Sequence, residues 1–181
     1  CAASLKAANE LYGLGLSPER LAEYGVRLGA DVPYCLMGGT AISEGIGEKL
    51  TPLTAAPKAH VLLVKPAFGI STKEAYGGYD SKEHHDHPDI DGLIRATEAG
   101  DLHAMCALMG NVLEPVSIAI HPEIETIKHK MLALGAAGSM MSGSGPTVFG
   151  LFDDEAAAKR AYEEFADAQD GMQVCLTEFV G

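Results

Sequence analysis

The residue run best suited to chemistry is Met141-Ser142-Gly143-Ser144-Gly145-Pro146-Thr147, directly ahead of a strand-like apolar segment. Two glycines separated by a serine let backbone N–H groups approach an anion closely, and the hydroxyls add donors. No lysine follows the glycines, so this is not a Walker A loop. Two readings stand: a loop that holds phosphate, and a tight turn that only joins two strands. A second candidate is Asp31 in Gly29-Ala30-Asp31-Val32-Pro33, just past a predicted helix end. Its carboxylate could take a proton from a substrate hydroxyl, or could merely satisfy turn hydrogen bonds.

Other residues carry weaker signals. Glu83-His84-His85-Asp86-His87 has metal-ligand residue types, but adjacent ligands on one loop converge poorly on a tetrahedral ion. Adventitious Ni²⁺ or Zn²⁺ binding is the reading there, and no functional metal site is assigned. His103, His121 and His129 read as surface or half-buried histidines. Ser142 and Ser144 have no evident His–Asp partners, so a hydrolase triad is not supported. Tyr76, two residues after Glu74, reads on pattern alone as a packing residue.

The elements that must position these groups follow from periodicity and breakers. Apolar residues at 2, 5, 8, 11 and 12 predict a helix stopped by Gly13. Ser17-Pro18-Glu19-Arg20 opens a second helix that ends at Gly29. Residues 40–45 and 48–53 predict a hairpin through Gly45-Ile46-Gly47. His60–Val64 is a buried strand stopped by Pro66. A short helix, TKEAY, is capped by Ser71 or Thr72, and 77–88 has no periodicity and predicts a mobile loop. Helical spacing then runs from Asp89 to Leu134, broken at Gly100-Asp101, Gly110-Asn111 and His121-Pro122. A glycine-rich stretch, 135–146, leads into a strand (147–152), a helix (155–168) and a closing strand (172–179). Clustered helices with antiparallel-type strands predict an α+β fold.

Composition bounds the functions. The 181 residues include 13 Lys and Arg against 25 Asp and Glu, a net charge of −12. That balance argues against a broad phosphate-backbone surface, hence against nucleic-acid binding. Apolar runs such as HVLLV are far too short to span a bilayer, which argues against a membrane role. Cys1, Cys35, Cys106 and Cys175 are widely spread and predict buried free thiols in a reducing cytoplasm. The first predicted helix starts at residue 1 with no Met and no cap, so the chain reads as a fragment.

Four segments occur in a telling order: LGADVPYCLMGGTAISEGIGEKLTPL, VKPAFGISTKEAY, GNVLEPV and MSGSGPTVFGLF. Over essentially all 181 residues they resemble the GHMP kinases. GADVP with GNVLEP and MSGSGPTVFG most resembles the methylerythritol branch of that family. The resemblance implies the end of a ribosomal-protein-S5-like nucleotide-binding domain (1–54) and a ferredoxin-like C-terminal domain (55–181). It implies phosphorylation of the 2-hydroxyl of 4-diphosphocytidyl-2-C-methylerythritol, with ATP and Mg²⁺ as cofactors, in non-mevalonate isoprenoid synthesis. A bacterial cytoplasmic monomer or weak homodimer follows, with a small-molecule substrate and no nucleic-acid or membrane partner.

By the same resemblance, Asp31 matches the family's catalytic aspartate. Ser142, Gly143, Ser144 and Gly145 match its third motif, in the phosphate region. Tyr76 falls where an aromatic stacks on cytosine, and Thr72 falls at a neighbouring substrate contact, although Lys73 departs from some relatives. The family's GLGGGSSD-like loop and catalytic lysine are implied to lie upstream of Cys1, so the 181 residues alone are expected to be inactive. The alternatives are another GHMP kinase, of homoserine or mevalonate type, and a non-catalytic binding domain on the same scaffold.

Overall fold

The computed structural model describes residues 1–81, 87–168 and 171–179. Two compact units emerge, Cys1–Ala56 and Pro57–Phe179. In the first, helices α1 (Ala2–Leu11), α2 (Pro18–Val26) and α3 (Val32–Met37) precede strands β1 (Ala41–Glu44) and β2 (Lys49–Pro52). The start of α2 forms as its sequence predicts: the Ser17 hydroxyl accepts the Arg20 N–H at 3.3 Å, with Pro18 at the first helical position. Between α1 and α2, the Asn9 side chain clamps both backbone groups of Leu16, at 2.9 and 3.1 Å. Helix α3 is not foreseen by periodicity, because six residues are too few to show a repeat. It packs so tightly on α2 that a β-carbon on Gly25 would lie 3.0 Å from Val32 Cγ1. The predicted hairpin is present, with Ala41 opposite Pro52 and Glu44 opposite Lys49.

The second unit runs β3 (His60–Lys65), α4 (Thr72–Asp80), α5 (Ile90–Glu98), α6 (Leu102–Leu108), α7 (Glu114–Ile120) and α8 (Glu123–Ala133). It continues with β4 (Gly138–Met141), β5 (Val148–Phe152), α9 (Glu155–Ala166) and β6 (Gln173–Glu178). The four strands form one antiparallel sheet in the order β4-β5-β3-β6, the ferredoxin-like arrangement. Strand alternation sends Leu62, Val64, Val148 and Phe152 to one face, against Ile124, Ile127 and Met131 of α8 and Ala158 and Phe165 of α9. Val61 and Leu151 face the other way, onto Ala96, Leu102 and Met105 of α5 and α6. With both faces covered, the central strands β3 and β5 read as nearly continuous apolar runs. Part of the acidic excess caps helices: Asp89, Asp101 and Asp154 accept the N–H of Gly92, Ala104 and Ala157 at 2.9, 2.9 and 2.6 Å. Each such cap stabilises by about 1 kcal/mol.

Three expectations need correction. The loop expected over 77–88 fails at its start, because α4 continues through Gly77-Gly78 to Asp80, and residues 82–86 lie outside the described residues. Gly78 is where α4 meets α7, and a β-carbon there would lie 2.5 Å from Val116 Cγ1. The glycine-rich stretch contains a strand, β4, whose Gly138 leaves room for Cys106: a β-carbon would lie 2.7 Å from the Cys106 β-carbon. In both places glycine marks close packing and not a breaker. Nor are the thiols all buried. Cys1, Cys35 and Cys175 are exposed and Cys106 is half-buried, all four free. Cys175 sits on the edge strand β6 and Cys1 precedes the first helix, so neither position demands burial. The run Glu83, His84, His85 and Asp86 lies outside the described residues. No helix among the described residues is long and apolar enough to cross a membrane.

Candidate functional site

Strands β4 and β5 pair with Met141 opposite Val148, so residues 142–147 must reverse the chain. The Ser142 N–H donates to the Thr147 carbonyl at 2.8 Å, and the Gly145 N–H to the Ser142 carbonyl at 3.0 Å. Gly143 and Gly145 take φ of 57° and 84°, the left-handed region that favours glycine. A β-carbon on Gly145 would lie 2.5 Å from Met141 Sδ, whereas one on Gly143 would meet nothing within 4 Å. Gly143 therefore presents an open side. The N–H groups of Gly143 and Ser144 find no hydrogen-bond partner among the described residues, so they remain donors for a ligand.

The back of this loop rests on the segment that contains GNVLEP. Asn111 Nδ2 donates to the carbonyls of Met141 and Gly143, each at 2.8 Å, while its Oδ1 accepts the Leu113 N–H at 3.0 Å. The fully buried Ser117 donates its hydroxyl to the Ser144 carbonyl at 3.2 Å. Buried Glu114 accepts the Met141 N–H at 3.3 Å and pairs with Lys128 of α8 at 2.5 Å. Asn111, Glu114 and Ser117 were not singled out by sequence. Their signal was a polar residue at every third position through an otherwise apolar stretch.

The structure brings Thr72 and the loop together: Thr72 Oγ1 lies 3.2 Å from Ser144 Oγ. Tyr76 follows one turn later on α4 and is 53% exposed, so its ring is open to solvent and does not pack in the core. Ahead of α4, the Phe68 ring stacks on His121 at the end of α7, with centroids 4.0 Å apart.

Asp31 belongs to the first unit. It occupies the N-cap position of α3 with its side chain in no capping hydrogen bond. The hairpin turn lies against it: a β-carbon on Gly47 would stand 3.7 Å from Asp31 Oδ1, and Ser43 Oγ donates to the Gly47 carbonyl at 2.9 Å. An exposed carboxylate on a rigid Pro-anchored helix start, free of local bonds, can accept a proton from an outside hydroxyl. Among the described residues no group of three or more His, Cys, Asp or Glu side chains converges as a metal site.

Known protein families match both the start and the later part of the chain. The model described as GHMP kinases N terminal domain matches residues 1–39, and that described as GHMP kinases C terminal matches 93–170. A 4-diphosphocytidyl-2-C-methyl-D-erythritol kinase of Lachnoclostridium phytofermentans is 53% identical over 98% of this chain and 61% of its own length. The Clostridium novyi protein of the same name is 49% identical over 97% of this chain and 63% of its own. A crystal structure of 4-(cytidine 5'-diphospho)-2C-methyl-D-erythritol kinase superposes with a TM-score of 0.80 at 29% identity, covering 99% of this chain and 63% of that one. Homoserine kinase from Cytophaga hutchinsonii shares the fold, with a TM-score of 0.79 at 18% identity over 99% of this chain and 62% of its own. This chain thus spans about three-fifths of the length of the relatives it matches. With the family's N-terminal and C-terminal patterns both matched, the chain belongs to the GHMP kinases.

Proposed function

We propose that the whole protein phosphorylates the 2-hydroxyl of 4-diphosphocytidyl-2-C-methylerythritol at the expense of ATP, and that this chain carries its aspartate and its glycine loop. The observation that supports this reading best is the 53% identity to a kinase of that name across nearly all of the chain. ATP, when bound, supplies the γ-phosphoryl group, with Mg²⁺ as counter-ion to its phosphates. The described residues gather no cluster for Mg²⁺, so no residue of this chain is assigned to it.

Each remaining role is a matter of positioning and electrostatics, which dominate phosphoryl transfer. Asp31 orients the substrate hydroxyl and takes its proton. The N–H groups of Gly143 and Ser144, with the hydroxyls of Ser142 and Ser144, donate to phosphate oxygens, and Gly145 holds the turn that presents them. Thr72 supplies a hydroxyl beside that loop, and Tyr76 a flat face for cytosine. These local dipoles explain how a chain of net charge −12 can serve anionic substrates. In this reading the protein is a bacterial cytoplasmic enzyme, a monomer or weak homodimer, with no nucleic-acid or membrane partner. The 181 residues by themselves turn over no substrate, since they contain no GLGGGSSD-like loop.

The test is turnover by the whole protein, with ATP, on three alcohols: 4-diphosphocytidyl-2-C-methylerythritol, homoserine and mevalonate. The first should exceed the others in kcat/KM by at least about 100-fold, since a site built for a cytidine diphosphate leaves polar groups unpaired with smaller alcohols. Equal or better turnover of either competitor would reject the assignment.

A further inference from the structure

The roles assigned above use the front of the glycine loop, while Asn111 holds its back. The Asn111 amide is fully engaged: both hydrogens go to the carbonyls of Met141 and Gly143, and its oxygen takes the Leu113 N–H. A trans peptide is planar, with its C=O and N–H pointing in opposite directions. Drawing the Gly143 carbonyl back toward Asn111 therefore turns the next N–H, that of Ser144, away from Asn111. That N–H has no partner among the described residues. Gly143 needs this restraint more than another residue would, because glycine lets the adjoining peptide plane rotate at little steric cost. A rotated plane would present a carbonyl oxygen where a phosphate needs a donor.

We propose that Asn111 is a positioning residue that aims the Ser144 N–H outward by holding the Gly143 carbonyl from behind. Its structural half stands on the hydrogen bonds alone, and its kinetic half rests on the phosphate reading of the loop. Asn111→Asp is the discriminating variant. It keeps the shape and the oxygen that accepts the Leu113 N–H, but sets an acceptor against two carbonyls. In the whole protein, amide exchange at Ser142 and Gly145 should rise at least tenfold while amides of β3 and α8 keep their protection. In the same variant kcat should fall at least tenfold, with KM for the alcohol substrate within twofold of the parent.

Unchanged exchange at Ser142 and Gly145 overturns the proposal. So does a rise spread evenly over β3, α8 and the loop, which would mark Asn111 as a fold residue only. Faster loop exchange with unchanged kcat upholds the restraint and rejects the phosphate role of the loop. Should Asn111→Asp fail to fold, Asn111→Ala removes the donor without adding charge, and the same two readouts decide.

Discussion

Lys128 Nζ lies 2.5 Å from Glu114 Oε1, and that same oxygen accepts the Met141 N–H. One ion pair between α7 and α8 thus reaches the last residue of β4, where the glycine loop begins. The two side chains are 21% and 11% exposed, so the pair is largely out of water. Removing one partner of such a pair leaves a largely buried charge without its counter-charge.

Lys128→Met should therefore destabilise the protein by about 3–5 kcal/mol. Adding Glu114→Gln should recover much of the loss, because the amide oxygen still accepts the Met141 N–H without a charge. Urea unfolding of the single and double variants measures both effects. A loss below about 1 kcal/mol for the single variant would mean that the pair behaves as an exposed surface bridge.

Gly78→Ala sets two effects against each other. Alanine in a helix interior gains up to about 1 kcal/mol over glycine. The new β-carbon, however, would stand 2.5 Å from Val116 Cγ1, and overpacking costs about 1–3 kcal/mol. Valine is stiff at χ1 and cannot swing aside cheaply. The clash should win, giving a net loss of about 1–2 kcal/mol. In a Val116→Ala background the same change should become neutral or stabilising, and a double-mutant cycle of unfolding free energies checks the sign.

Asp31→Asn in the whole protein should separate chemistry from folding. The side chain makes no capping bond, and asparagine caps helices as well as aspartate does, so stability should change by less than about 0.5 kcal/mol. An amide cannot take a proton, so kcat should fall by about 100-fold to 10,000-fold with ATP affinity retained. Parallel kinetics and thermal unfolding decide, and near-normal turnover would remove Asp31 from its role.

Burial, and then the charge of Asp153, push the Cys106 thiol up to about 11 from its ordinary 9.0. At pH 8 it should stay a neutral thiol and react with Ellman's reagent at least about tenfold more slowly than exposed Cys35 and Cys175. The folded value lies above the unfolded one, so the associated stability is fully present below pH 9.0 and lost as pH climbs through about 11. Cys106→Ser should flatten that alkaline decline, as read by denaturant midpoints between pH 8 and 11.

What could be read from the residues was whatever repeats or caps itself. Ser17-Pro18 announced α2, the breaks at Gly100, Gly110 and Pro122 separated α5 to α8, and apolar runs marked β3 and β5. Helix α3 and strand β4 were too short to show a period, and the close packing at Gly78 was hidden because the side chain that needs its space, Val116, lies 38 positions away. The glycine loop was legible as a backbone-shaped element. Its support was not, because Asn111 and Ser117 reach it across about 30 residues, and only tertiary structure makes such pairs neighbours.

Helix α7 touches both halves of the second unit's candidate site. Val116 fills the space left at Gly78 of α4, Ser117 grips the Ser144 carbonyl, and His121 lies on Phe68 just ahead of α4. The helix bearing Thr72 and Tyr76 is thereby yoked to the loop bearing Ser144, and neither can tilt without dragging the other. If the proposed function holds, such a yoke narrows the routes by which a relative could acquire a new alcohol substrate. Under the proposed function, re-angling α4 would disturb the loop in the same step, which leaves exchange of the exposed side chains at positions 72 and 76, on a helix that stays where it is, as the way to a new specificity.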